Sequence, residues 1–139
     1  MNELSGQCLC GAVSFTVSGE INRVSACYCS QCRAQNGGGA FHGAEFAGDM
    51  TIHQDKELKW FDSSDKAKRG FCGACGSSLF WKSKTNSQYF DVSLGAFADD
   101  SLFELDAHIF VDSKAGYQQP PNNAPHFIES TSPLPQDAS

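Results

Sequence analysis

Val13, Phe15 and Val17 alternate with polar residues, the period-two pattern of a half-buried strand. Leu58 to Phe61 and Lys68 to Cys72 repeat the signal on either side of the turn-like Ser63-Ser64-Asp65, which predicts a hairpin. Ser78 to Lys82 and Gln88 to Leu94 read as two further strands across a polar Lys84-Thr85-Asn86-Ser87 turn, and Ala107 to Val111 as the last. One short helix is expected at Ser30 to Gln35, just before Gly37-Gly38-Gly39. No segment repeats at a fixed period. The pattern predicts a mostly β, antiparallel domain, with Trp60, Phe61, Phe71, Phe80 and Trp81 in the core of the sheet rather than on a stacking platform for bases.

Size and charge narrow the classes. A chain of 139 residues makes one ordinary domain. With 16 Asp and Glu against 10 Lys and Arg, the formal charge is -6, which argues against a phosphate-tracking surface and hence against nucleic acid. No apolar run approaches the roughly 20 residues of a membrane-spanning helix. The start, Met1 to Gln7, has neither a basic nor an apolar stretch, so no secretory signal is expected and the cytoplasm is the expected compartment. Bases concentrate between Lys56 and Lys84, as a solvated hairpin face or a patch for an anionic ligand. All five prolines lie from Pro120 onward. This divides the chain into a domain at 1–117 and a Pro-rich extension at 118–139, extended or looped and disordered past about Ser130.

The cysteines decide the chemistry. There are 7, an odd number, so disulfides cannot use them all. They fall in clusters: Cys8 and Cys10; Cys27, Cys29 and Cys32; Cys72 and Cys75. Scattered core thiols would not group this way, whereas metal ligands do. Soft thiolates without ferredoxin-type spacing select zinc.

Cys72-Gly73-Ala74-Cys75-Gly76 is a zinc-knuckle turn, in which glycine permits the backbone N–H groups to face the sulfurs. A redox dithiol would instead sit at a helix start, and strand-like residues follow here. Cys8 and Cys10, on one face of a strand by alternation, can complete a closed site of four sulfurs. Cys27, Cys29 and Cys32 then form a tripod, and three protein ligands with one exchangeable position is the ligand count of a catalytic zinc. Two other arrangements stay open. A histidine among His42, His53, His108 and His126 could fill the fourth position, or Cys27 or Cys29 could join the knuckle. Arg33, directly after the tripod, could pair with a substrate carboxylate or offset thiolate charge. Gly37-Gly38-Gly39 is read as a flexible loop; with no Gly-Lys-Ser/Thr after it, it is not a phosphate loop.

Gly6-Gln7-Cys8-Leu9-Cys10-Gly11-Ala12-Val13, Cys27-x-Cys29-x-x-Cys32-Arg33 and Arg69-Gly70-Phe71-Cys72-Gly73-x-Cys75-Gly76-Ser77, in this order, resemble the glutathione-dependent formaldehyde-activating (GFA) family, which also includes centromere protein V. Leu94 to Phe97 and Asp106 to Val111 look like further family segments. The resemblance implies a mostly β domain with two zinc ions. Cys8, Cys10, Cys72 and Cys75 would hold the structural one, and Cys27, Cys29 and Cys32 the catalytic one. It implies a carbon–sulfur lyase type of activity, in which glutathione as co-substrate and formaldehyde form S-hydroxymethylglutathione. Arg33 is the candidate for binding the glutathione carboxylate. The alternative is a non-catalytic zinc-folded interaction module. The expected partners are small-molecule thiols and aldehydes, without nucleic acid or membrane, and a homodimer is left open. Three positions depart from the pattern of many members: Tyr28 stands in place of His, Ala34 in place of Lys, and Tyr117 in place of Trp.

Overall fold

A computed structural model describes residues 3–130. The expected disorder past Ser130 lies outside those residues. Eight strands and one α-helix, with short 3-10 turns at Leu94–Ala96 and Val111–Ser113, follow in the order β1 (Glu3–Gln7), β2 (Ser14–Cys27), α1 (Ser30–Gln35), β3 (Phe41–Gln54), β4 (Leu58–Asp62), β5 (Ala67–Cys72), β6 (Ser78–Ser83), β7 (Tyr89–Ser93) and β8 (Ala107–Ile109). They form one sheet of strand order β1-β2-β3-β7-β6-β5-β4. Neighbours along that path are antiparallel, and β8 runs parallel to the far end of β2. The mostly β expectation holds. Among the described residues no helix is long and apolar enough to cross a membrane.

The sheet has two buried faces with different chemistry. On the first, Phe15, Val17, Val24, Ala44, Phe46, Phe80, Phe90 and Val92 form the main core. Phe15 meets Phe80 edge-on at 5.1 Å and Phe46 stacks on Phe90 at 5.8 Å. Each such side chain contributes roughly 1.5–3 kcal/mol on burial. The second face carries Arg69, Trp81, Asp91, Glu45 and Arg23, one residue from each of five adjacent strands in a single lateral row.

A bulge on β2 makes that row. Ile21 pairs with Phe46 and Arg23 with Glu45, so Asn22 is an extra residue opposite β3. The insertion flips the alternation: Phe15 and Val17 face the core at odd positions, and Val24 at an even one. Arg23 and Cys27 are thereby turned to the second face. Further along the same pair, Gly19 of β2 faces Gly48 of β3. A Cβ at Gly48 would lie 2.1 Å from the Ser18 carbonyl oxygen, so only glycine fits.

The aromatic core differs from expectation at one hairpin. Phe80 and Trp81 are buried, but Phe61 is 61% and Trp60 37% exposed, and Phe71 is half-buried. The reason is topology: β4 is the last strand of the sheet, so nothing packs on its outer side. Lys68 sits 4.7 Å from the Trp60 ring and Lys84 pairs with Asp62 at 3.2 Å, as on a solvated hairpin face. Arg69 is the exception among these bases, with only 3% exposure on the opposite face.

Residues 118–130 form no strand or helix, and they pack back on β8. Asn123 Oδ1 accepts from His108 at 2.8 Å, His108 N–H donates to the Pro125 carbonyl and Phe127 N–H to the His108 carbonyl. Tyr117 and Gln118 both donate to the Gly38 carbonyl, which pins the loop after α1. Gly37 and Gly38 adopt φ of 66° and 94°, the left-handed turn that returns the chain from α1 to β3.

Candidate metal centres

Two sets of sulfurs converge. Within each set, Cys8, Cys10, Cys72 and Cys75 on one side and Cys27, Cys29 and Cys32 on the other, all sulfurs lie within 4.8 Å of one another. All seven cysteines are free thiols. This is the grouping read from the spacing, and neither Cys27 nor Cys29 joins the knuckle.

In the four-sulfur set, β5 ends at Cys72 and the chain turns back through Gly76 at φ 82° to start β6. Cys72 Sγ accepts from the Cys75 N–H at 3.4 Å. Cys8 and Cys10 do not sit on a strand, as alternation suggested. They occupy a turn after β1, with Gly11 at φ 81° and the Gly11 N–H donating to the Cys8 carbonyl. Cys8 Sγ accepts from the Val13 N–H at 3.3 Å. Cys10 Sγ lies 3.7 Å from Cys8 Sγ and 3.8 Å from Cys72 Sγ. The Ser77 hydroxyl beside Cys75 Sγ, at 3.2 Å, holds the Cys75 thiol down at about 5. Cys72 and Cys8 are packed into the main core, so an ion here would join the start of the chain to the knuckle hairpin.

The three-sulfur set is built by one tight corner. Cys27 ends β2; Cys29 is the N-cap of α1, its sulfur accepting from the Cys32 N–H at 3.4 Å; Cys32 lies one turn into the helix. All three are buried, with Phe41, Ala107 and Ile109 around them. Such crowding forbids three anions without a cation. Hydrogen bonds from Cys27 and Cys32, with the Arg69 charge, pull the Cys29 thiol far below its ordinary value. The same bonds and burial push Cys27 far above it. Cys32 is drawn down by Cys27 but pushed up further by Cys29 and burial, to about 11. A bound cation relieves this competition, and soft sulfurs at this spacing suit zinc.

The guanidinium at the tripod is Arg69, not its sequence neighbour Arg33. Arg69 Nη1 donates to Cys32 Sγ at 3.4 Å and to Gln35 Oε1, while Nη2 donates to Gln31 Oε1. Arg33 is half-buried and its Nε donates to the Tyr28 carbonyl at 3.3 Å. Arg69 was legible only as part of the Arg69-Gly70-Phe71-Cys72 motif, since its β5 register carries it under α1. Among the described residues no histidine nitrogen joins either sulfur set. His42 is exposed, His53 bonds Thr16, and His126 bonds the Pro121 carbonyl. His108 Nδ1 accepts from the Tyr28 hydroxyl at 2.9 Å. Tyr28 alternates with Cys27 and Cys29, so its hydroxyl faces His108 on the far side from the sulfurs.

Comparison with known proteins agrees with this geometry. The profile of the glutathione-dependent formaldehyde-activating enzyme family matches residues 3–113. The chain is 25% identical over 114 residues to an uncharacterized lyase of Schizosaccharomyces pombe, spanning 82% of each protein. It is 33% identical over 86 residues to a putative glutathione-dependent formaldehyde-activating enzyme of Halomonas elongata, covering 55% of this chain and 54% of that protein. Its fold matches a crystal structure of a Rhodobacter sphaeroides protein with a TM-score of 0.58 at 22% identity, over 73% of this chain and 97% of that one. With the profile spanning most of the chain and both cysteine sets assembled, the protein belongs to the glutathione-dependent formaldehyde-activating enzyme family.

Proposed function

We propose that the protein is a zinc-dependent carbon–sulfur lyase-type enzyme that joins glutathione to formaldehyde, giving S-hydroxymethylglutathione. The observation that carries this reading is the tripod: three buried sulfurs within 4.8 Å of one another, with no fourth protein donor among the described residues. Cys27, Cys29 and Cys32 would hold the catalytic zinc, and Cys8, Cys10, Cys72 and Cys75 a structural one. Zinc bound at the tripod supplies an exchangeable position that keeps an incoming thiol as thiolate.

The chain's own groups support that chemistry. In the reaction the glutathione sulfur bonds to the carbonyl carbon, the carbon–oxygen π bond opens, and the thiol's proton ends on the oxygen. The corner between β2 and α1 fixes the three sulfurs on rigid elements. Arg69 places one positive charge against Cys32, offsetting part of the excess negative charge of three or four thiolates. Gln31 and Gln35 hold the guanidinium in that position. Arg33, directly after the tripod in sequence, is the candidate partner for a glutathione carboxylate.

Thiol-protection mapping tests the reading. Saturating glutathione is expected to shield Cys27, Cys29 and Cys32 from alkylation while leaving the labelling of Cys10 unchanged. Unaltered labelling of the tripod at saturating glutathione overturns it.

A further inference from the structure

One cavity beside the tripod has no role in the proposed chemistry so far. It lies between α1 and the β4–β5 hairpin and measures about 450 Å³. Gln31, Ala34 and Gln35 line it from the helix, and Phe61, Arg69 and Phe71 from the hairpin. Phe61 pairs with Arg69 across β4 and β5, so both side chains stand on the second sheet face. Gln31 Nε2 donates to the Ser63 carbonyl at 3.1 Å, which ties the helix to the hairpin turn at the cavity wall. The inner wall is Arg69, 3% exposed, whose Nη1 donates to Cys32 Sγ. The rim is Ala34 and Phe61, both exposed, so the cavity opens to solvent. Arg69 thus touches both the cavity and a tripod sulfur.

A cavity of this size lies in the range of small-molecule sites, roughly 300–1,000 Å³. Formaldehyde has no substituent to place there, and glutathione is polar along its length, whereas Ala34, Phe61 and Phe71 offer apolar surface. Two phenyl rings beside the Arg69 cation favour a flat aromatic occupant over an aliphatic one, through ring–ring and cation–ring contact. We infer that the cavity takes the aryl group of an aromatic aldehyde, and that the chain joins glutathione to such aldehydes as well as to formaldehyde. The step balances as before: the thiol sulfur bonds to the carbonyl carbon, the carbon–oxygen π bond opens, and the thiol's proton ends on the oxygen, giving a hemithioacetal. No oxidant or reductant takes part. This rests on the proposed thiol chemistry of the tripod and adds the substrate class that the neighbouring cavity selects.

S-benzylglutathione reproduces the carbon–sulfur bond and the ring of such a product without its labile hydroxyl, and S-methylglutathione lacks the ring. Calorimetric titration of the zinc-replete full chain compares the two. The benzyl compound is expected to bind at least about tenfold more tightly, the order given by burying a phenyl ring. Ala34→Trp fills the rim of the cavity and Phe61→Ala removes one aromatic wall; both positions are exposed, so the fold should stand. Each substitution is expected to cut the preference at least about threefold. Equal binding of the two compounds by wild type, or binding of neither, overturns the cavity assignment, as does a preference that either substitution leaves unchanged. One variant suffices should the other not fold. Protection of the tripod thiols by glutathione reads the proposed function independently: protection together with equal binding of both thioethers removes only the cavity assignment, and absence of protection removes the function itself.

Discussion

Arg69 Nη1 lies 3.4 Å from Cys32 Sγ, although the two residues are 37 positions apart and on different elements. The contact exists because β5 runs beneath α1, and because Gln31 and Gln35 present their amide oxygens to the same guanidinium one helical turn apart. A buried cation is thereby placed on a sulfur cluster that would otherwise be strongly anionic when metallated.

Arg69→Gln is expected to lower the affinity of the tripod for zinc about 10- to 100-fold, the range for a lost charge-assisted hydrogen bond. The affinity of the four-cysteine site should not change. Competition with a chromophoric chelator reads both sites. An unchanged affinity of the tripod would make Arg69 a packing residue only.

Cys72→Ser and Cys29→Ser should separate architecture from chemistry. Ligation at a structural zinc contributes on the order of 10 kcal/mol, comparable with the whole stability of a domain. Cys72 is fully buried in the main core, so its loss should leave the chain unfolded by circular dichroism. Cys29→Ser should keep the β spectrum and lose one equivalent of zinc. Equal unfolding of the two variants would contradict the assigned roles.

Tyr28→Phe should lower stability by about 1 kcal/mol, the net worth of a buried hydrogen bond, and leave zinc content unchanged. His108→Phe should cost more, about 2 kcal/mol, since it strands both the Tyr28 hydroxyl and Asn123. Thermal melts with metal analysis check both. Loss of zinc from Tyr28→Phe would place the hydroxyl at the metal instead.

The pH dependence of stability carries the signature of Asp91. Its carboxyl is raised from 3.8 in the unfolded chain to about 7 in the fold, chiefly by burial. The folded state therefore holds the proton more tightly. This favours folding most fully below the unfolded value, and the benefit is lost as pH rises through about 7. Asp91→Asn removes the titration. The Tm of the variant minus that of wild type should increase from pH 5 to pH 8. A flat or falling difference would show Asp91 ionised and satisfied across the range.

The sequence made the hairpins, the helix and both sulfur sets legible, because their signals are local. The helix at Ser30 to Gln35 matches α1, and the β4–β5 turn falls where Ser63-Ser64-Asp65 predicted it. β3 went unread. Both its faces are covered along Gly43 to Phe46, and the buried Glu45 breaks the apolar run that burial would otherwise produce. β2 looked shorter than it is, because the bulge at Asn22 shifts the period of its apolar residues from odd to even. Cys8 and Cys10 converge through a turn rather than a strand, and two spacings of the same length can do this equally well. Arg69 and the charged row depend on lateral register between strands far apart in sequence, which no local pattern contains.

The claim on which the rest depends is that one zinc is caged by four protein sulfurs and the other by three. Zinc-edge X-ray absorption of the doubly loaded protein, with and without glutathione, measures this directly. The average sulfur count per zinc should rise on adding glutathione, as the second ion goes from three sulfur neighbours to four. A count already at four per zinc before addition, or one that glutathione does not move, would contradict the open tripod.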